Sequence, residues 1–201
     1  MAGLPQPADP LRHSHGLEQF FASLGGQEGL RVLDLGEFTQ ANVIFITSLG
    51  HRLYSEDLQQ ALEQTFGAGE PAVAQSDPQR VQQFLGQVLQ FPREHFDAVL
   101  VWDTLERLSR PILEVVMERL FLILRPKAPL LACFHAESRE DTLPAYGFRI
   151  ADGKSLQIHS KGRQKLAQSF NNRGIEKLFD RFHSVKFFLT RDHLREVIVR
   201  R

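Results

Sequence analysis

Apolar and polar residues run along this chain in blocks, and the period changes from one block to the next. Leu30–Leu35 is short and apolar, which predicts a strand, and Ala41–Leu49, closed by Gly50, predicts a helix. Arg52–Tyr54 reads as a short strand. Ser55 is placed to cap a further helix reaching about Phe66, with Glu56 and Asp57 in its first turn. Gly67–Ser76 reads as loop. Asp77-Pro78 then supplies a cap and a first helical position for a helix towards Gln90, with Val81, Phe84, Leu85 and Val88 on one face. Phe96–Trp102 is nearly continuously apolar, as a strand buried on both faces is. Ser109 opens a helix carrying Ile112, Val115, Val116, Leu120, Ile123 and Leu124 at helical spacing, stopped by Arg125-Pro126. Pro129–Phe134 is a second buried strand.

Strand–helix alternation of this kind predicts a parallel sheet with helices on both faces and right-handed crossovers. The last third has another character. Phe148–Ile150 and Leu156–Ile158 flank Asp152-Gly153, a hairpin signal. Asn171 or Asn172 is placed to cap a helix over Ile175–Phe182. Val185–Leu189 and Leu194–Val199 are two strands whose connection is too short for a crossover helix, so they must be antiparallel. At the other end, residues 1–16 hold three prolines and read as a flexible arm. Leu17–Leu24, ended by Gly25-Gly26, reads as a short amphipathic helix, and residues 17–201 as one domain without an internal repeat.

Charge changes the picture by subtraction. Basic and acidic residues balance at 24 each, giving no electrostatic reason to expect a nucleic-acid or membrane partner. The basic stretch Lys154–Lys177, with Lys161, Arg163, Lys165 and Arg173, could contact a phosphate-bearing partner, but zero net charge and few interleaved aromatics favour a solvated face. The N-terminus has no apolar leader and no run is long enough to span a bilayer, so a cytoplasmic, soluble protein is expected. Sixteen Phe against one Trp and two Tyr read as core packing, and the lone Cys133, inside an apolar run, as a buried hydrophobe. The eight histidines lack metal-ligand spacing, so no metal is expected. The sequence lacks a Gly-x-Ser-x-Gly elbow, a P-loop and a complete dinucleotide fingerprint, which argues against a serine hydrolase, an NTPase or an NAD enzyme.

The candidate chemistry sits at strand ends. Arg31-Val-Leu-Asp-Leu-Gly36 puts Asp34 and Gly36 at the end of the first buried strand, and Arg52-Leu-Tyr-Ser-Glu-Asp57 puts Glu56 and Asp57 after the next. In open α/β sheets ligands bind at such carboxyl ends. An acid there can hold an ammonium or a ribose diol, or simply cap loop amides or a helix. Asp103 follows Phe96–Trp102, and His135 follows Pro129–Phe134. Each can touch a substrate or move a proton, and each has a structural alternative, a loop cap for Asp103 and a satisfied histidine for His135.

In order and spacing these segments resemble the class I S-adenosylmethionine-dependent methyltransferases. Val32-Leu-Asp-Leu-Gly36 is similar to the start of that family's first motif, and Asp57, or Glu56 beside it, falls where the family places its ribose-binding acid. Phe96-Asp-Ala-Val-Leu-Val-Trp-Asp-Thr-Leu-Glu-Arg-Leu108 resembles its fourth-strand motif, and Leu124-Arg-Pro126 its junction into the fifth strand. The resemblance implies a Rossmann-like α/β sandwich, a mostly parallel sheet with helices on both faces and a C-terminal antiparallel pair. It also implies S-adenosylmethionine as cofactor, held by Asp34, Gly36, Glu56 and Asp57, and methyl transfer to a small-molecule or protein substrate near Asp103 and His135. The departures are specific. Phe38 and Gln40 stand where the family's loop has glycines, Lys127 and Ala128 replace the usual glycines after Pro126, and Arg107 replaces its usual histidine. The acid that normally follows the third strand has no counterpart near Leu85, Val88 or Phe91-Pro92. Two readings follow: a methyltransferase whose cofactor binding is altered or weakened, or a non-catalytic descendant of the fold serving as a binding or scaffold protein.

Overall fold

The computed structural model describes residues 11–67, 74–136, 140, 142–190 and 194–201. Strand β1 (Leu11–His13) leads into α1 (His15–Ser23), whose cap Ser14 accepts from the N–H of Leu17. Next come β2 (Arg31–Asp34), α2 (Gln40–Ser48), β3 (Arg52–Ser55), α3 (Leu58–Phe66), α4 (Pro78–Gln87) and β4 (Ala98–Trp102). A single 3₁₀ turn at Leu105–Arg107 precedes α5 (Arg110–Ile123) and β5 (Pro129–His135). The chain ends with β6 (Leu143–Asp152), β7 (Ser155–Gln164), α6 (Asn172–Leu178), β8 (Ser184–Leu189) and β9 (Leu194–Arg200).

The main sheet has six strands in the order β3-β2-β4-β5-β9-β8. The first four are parallel, β9 runs antiparallel to β5, and β8 antiparallel to β9, so the expected sandwich with an antiparallel ending is present. Alternation along the buried strands sends successive side chains to opposite faces. Leu33, Val99 and Val101 meet α3, α4, α5 and α6 on one side through Leu58, Leu62, Phe84, Ile112, Val116, Leu120 and Ile175. Val32, Ala98, Leu100 and Trp102 meet Leu17 and Phe20 of α1 and Ile46 of α2 on the other. Fully buried Phe20, Phe84, Phe96, Phe134 and Phe179 bear out the Phe-rich core, and Cys133 is buried as expected.

Several boundaries differ from the sequence reading for local reasons. Residues 1–10 of the expected arm lie outside the described residues; its last part forms β1 and the start of α1. Helix α3 is capped by Asp57, which accepts from the N–H of Gln60, and not by Ser55, the last residue of β3. Helix α6 stops at Leu178, four residues short of Phe182. The hairpin around Asp152-Gly153 extends to ten residues per strand and, with β1 pairing to β7, makes a separate three-stranded sheet in the order β1-β7-β6. This small sheet packs Phe148, Ile150 and Leu156 into the core layer of α1 and α2. Among the described residues, no strand extends the sheet beyond β3, and no helix is long and apolar enough to cross a membrane.

Candidate functional site

Strand β2 has β3 on one side and β4 on the other, so the chain diverges at their carboxyl ends, the place where an open α/β sheet forms its ligand crevice. Asp34 ends β2 there and Trp102 ends β4. Asp34 is buried, and three donors of this chain converge on its carboxylate: the Trp102 indole Nε1 at 2.7 Å, Asn42 Nδ2 at 2.9 Å and the Gly36 N–H at 3.0 Å. Burial pushes its pKa up, and the bonds from Trp102, Asn42 and Gly36 pull it back part of the way. All three partners donate, so the ionised carboxylate is the form that fits.

Trp102 reaches Asp34 by an unusual backbone route. Its φ is +57°, the left-handed region that bulky residues avoid, and the register of β4 on β5 shifts between Leu100 and Trp102. The indole stacks on Phe148 of β6, with ring centroids 4.8 Å apart and planes 11° apart, and lies directly on Gly36. A Cβ at position 36 would stand 2.5 Å from Trp102 Cδ1, so only glycine fits under the ring. The cleft left between Gly36, Trp102, Asp103, Tyr146, Phe148 and Lys161 measures about 10 Å³, room for one water at most. Glu37 closes its mouth with an ion pair to Lys161 of β7 at 3.0 Å. Burial raises the Glu37 pKa, but Lys161, His159 and Arg149 outweigh that and hold the carboxyl below its ordinary value.

The other residues singled out in the sequence have internal partners. Glu56 accepts from the N–H of Leu89 at 2.7 Å, and burial holds its pKa up. Asp57 caps α3. Asp103 is buried in an ion pair with Arg107 at 2.6 Å, and Arg107 also bonds Gln164. His135 is bonded at both ring nitrogens, Nδ1 to Glu106 at 2.7 Å and Nε2 to the Pro144 carbonyl at 2.8 Å. Both partners are acceptors, so the imidazolium satisfies both. Burial opposes that charge, but Glu106, the Pro144 carbonyl and Asp103 outweigh it and raise the pKa of His135. Asp34 and Gly36 are brought together beneath Trp102; Asp103 lines the same cleft but is engaged, like His135, with the 3₁₀ turn between β4 and α5. Phe38 and Gln40, read as bulk in the cofactor loop, point outward instead: Phe38 is 66% exposed and Gln40 is the exposed first residue of α2.

The sequence reading missed the side chains that close the site. Asn42 bonds Asp34 and also accepts from the Ile150 N–H at 2.8 Å, tying α2 to β2 and β6. Tyr146 and Phe148 come from a strand whose extent the hairpin signal understated. Trp102 reads from the sequence as a cleft-lining residue or, in preference, as core packing, and the bulge and the left-handed φ turn it onto Gly36.

Neither a family model nor a curated protein matches this sequence. Solved structures do. The 1,6-didemethyltoxoflavin-N1-methyltransferase of Burkholderia thailandensis, determined with 1,6-didemethyltoxoflavin and S-adenosylhomocysteine bound, aligns with a TM-score of 0.53 and 14% identity, covering 92% of this chain and 76% of that one. A SAM-dependent methyltransferase from Methanosarcina mazei aligns with a TM-score of 0.51 and 17% identity over 87% of this chain and 93% of the other. A protein from Pyrococcus horikoshii aligns with a TM-score of 0.55 and 12% identity over 92% and 88%. This chain has the class I methyltransferase fold. At such identities the likeness extends to the fold alone. Within it, the crevice at the ends of β2 and β4 is where the resemblance in sequence places the methionine part of S-adenosylmethionine, and there the methyltransferase-fold chain has its own indole.

Proposed function

We propose that this protein is a non-catalytic member of the methyltransferase fold, which binds a partner without transferring a methyl group from S-adenosylmethionine. The observation that carries the reading is the Trp102 indole seated on Gly36 and bonded to Asp34, where the cofactor would lie. The residues present do not fit the cofactor. Asp34 and Gly36 are covered, Glu56 is bonded to Leu89, and Asp57 is the cap of α3. Asp103 and His135 are likewise held by Arg107 and Glu106. Moving Trp102 aside would break its bond to Asp34, undo the stack on Phe148 and leave a buried carboxylate short of a donor, a cost of about 1–3 kcal/mol for the lost bond alone.

Ligand-sized space lies instead between α3 and the end of β7. There a cavity of about 170 Å³ is lined by Leu62, Phe66, Gln75, Arg107, Arg163 and Lys165. It is comparable to cavities that hold a benzene-sized molecule. Its lining mixes apolar Leu62 and Phe66 with charged groups, of which Arg107 is paired with Asp103 and Arg163 with Glu140.

The test is calorimetric titration of the wild-type protein with S-adenosylmethionine and S-adenosylhomocysteine. The expected result is no saturable heat with either. A dissociation constant of about 10 μM or tighter, near −7 kcal/mol, would overturn the reading.

A further inference from the structure

The corner where β1 turns into α1 brings together the side chains of His13, His15 and Glu18. His13 ends β1, Ser14 caps the helix, and His15 and Glu18 share one face of its first turn. Nε2 of His13 lies 3.2 Å from Nδ1 of His15 and 3.2 Å from Oε2 of Glu18, and Nδ1 of His15 lies 3.8 Å from that same oxygen. A tetrahedral zinc ion with ligands at about 2.0–2.1 Å keeps any two ligand atoms about 3.3 Å apart, so these atoms stand close to three corners of such a site. The side chains are 43%, 64% and 48% exposed, which leaves the fourth corner open to water.

We propose that His13, His15 and Glu18 form a surface site for a divalent transition-metal ion of the zinc class. Ligand chemistry selects the ion: two imidazoles with one carboxylate suit Zn²⁺, Co²⁺, Ni²⁺ or Cu²⁺ and not Mg²⁺ or Ca²⁺. Without a cation, a single N–H on His13 Nε2 can serve only one of its two close acceptors. A metal ion satisfies all three atoms together. The ligands also stand on fixed backbone. β1 is paired to β7 from Leu11 to His13, the Ser14 N–H donates to the Lys154 carbonyl at 2.8 Å, and Leu17 and Phe20 anchor α1 in the core. Such pre-positioning lowers the entropy lost on binding. The positive end of the α1 dipole opposes a cation here, but the Gly16 N–H is taken up by buried Glu196 at 2.7 Å and the Leu17 N–H by Ser14. The ion would fasten the edge strand of the small sheet to the first helix. The site is independent of the cleft and of its closure.

The experiment uses the full chain without an affinity tag, stripped with a chelator. It is titrated with Zn²⁺ by calorimetry and with Co²⁺ by visible absorption. One equivalent is expected at micromolar affinity, with the bands of four-coordinate cobalt. His15→Ala and Glu18→Gln should each weaken binding at least tenfold, while His183→Ala, at an exposed histidine elsewhere, should leave it unchanged. Glu18→Gln leaves the helix cap intact and carries the test should His15→Ala disturb α1. Absence of saturable binding, or binding equally strong in the wild type and the ligand variants, would overturn the assignment.

Discussion

Trp102 holds a backbone conformation that costs a non-glycine residue about 1–3 kcal/mol, and its indole offsets that cost through the bond to Asp34 and the stack on Phe148. This is the residue at which sequence and structure part most clearly. Asp34 and Gly36 were legible because a motif places them. Phe38 and Gln40 were legible as departures, but their consequence was not, since a loop residue's direction depends on dihedrals that no pattern encodes. His135 shows the same limit. Its position at the end of β5 could be read, while its pairing with Glu106 needed the 3₁₀ turn to bring position 106 beside it. That pairing has a pH signature. The raised pKa of His135 means that its stabilising contribution is complete below about pH 6.5, the unfolded value, and is lost as pH rises through the higher folded value. The difference in unfolding free energy between wild type and His135→Gln should therefore shrink from pH 6 to pH 9 in urea titrations. A difference constant with pH would show that the imidazolium is not the stabilising form.

At the scale of elements, the order of strands and helices was readable because each block has its own period, and caps such as Asp77 before Pro78 fix where helices begin. The small sheet was only half readable. Asp152-Gly153 marks its turn, but β1 lies in a proline-rich stretch, and its pairing with β7 across more than 140 residues leaves no local trace. What fixes this sheet over the cleft is Asn42 of α2, which donates to Asp34 and accepts from Ile150. Asn42→Ala leaves the buried Asp34 carboxylate and the Ile150 N–H each one partner short. It should lower stability by about 1–3 kcal/mol, measured as a shift in urea midpoint at constant slope. A variant as stable as wild type would mean that the hairpin is held by its apolar contacts and its other polar ties, without Asn42.

At the scale of the molecule, a methyltransferase-type sheet and its two helical layers are retained, while the crevice that the sheet creates is filled from both sides. Trp102 fills it from β4, and Tyr146 and Phe148 roof it from β6, with Glu37 and Lys161 bridging the mouth. The chain's only tryptophan is thus the residue that occupies the crevice, so its own fluorescence reports directly on whether a cofactor enters. The most direct measurement is the emission spectrum of Trp102 during titration with S-adenosylhomocysteine into the millimolar range. A buried, stacked indole that stays in place gives blue-shifted emission with no saturable change. A saturable red shift or change in intensity would mean that the indole yields to the ligand and that the crevice is a working cofactor site.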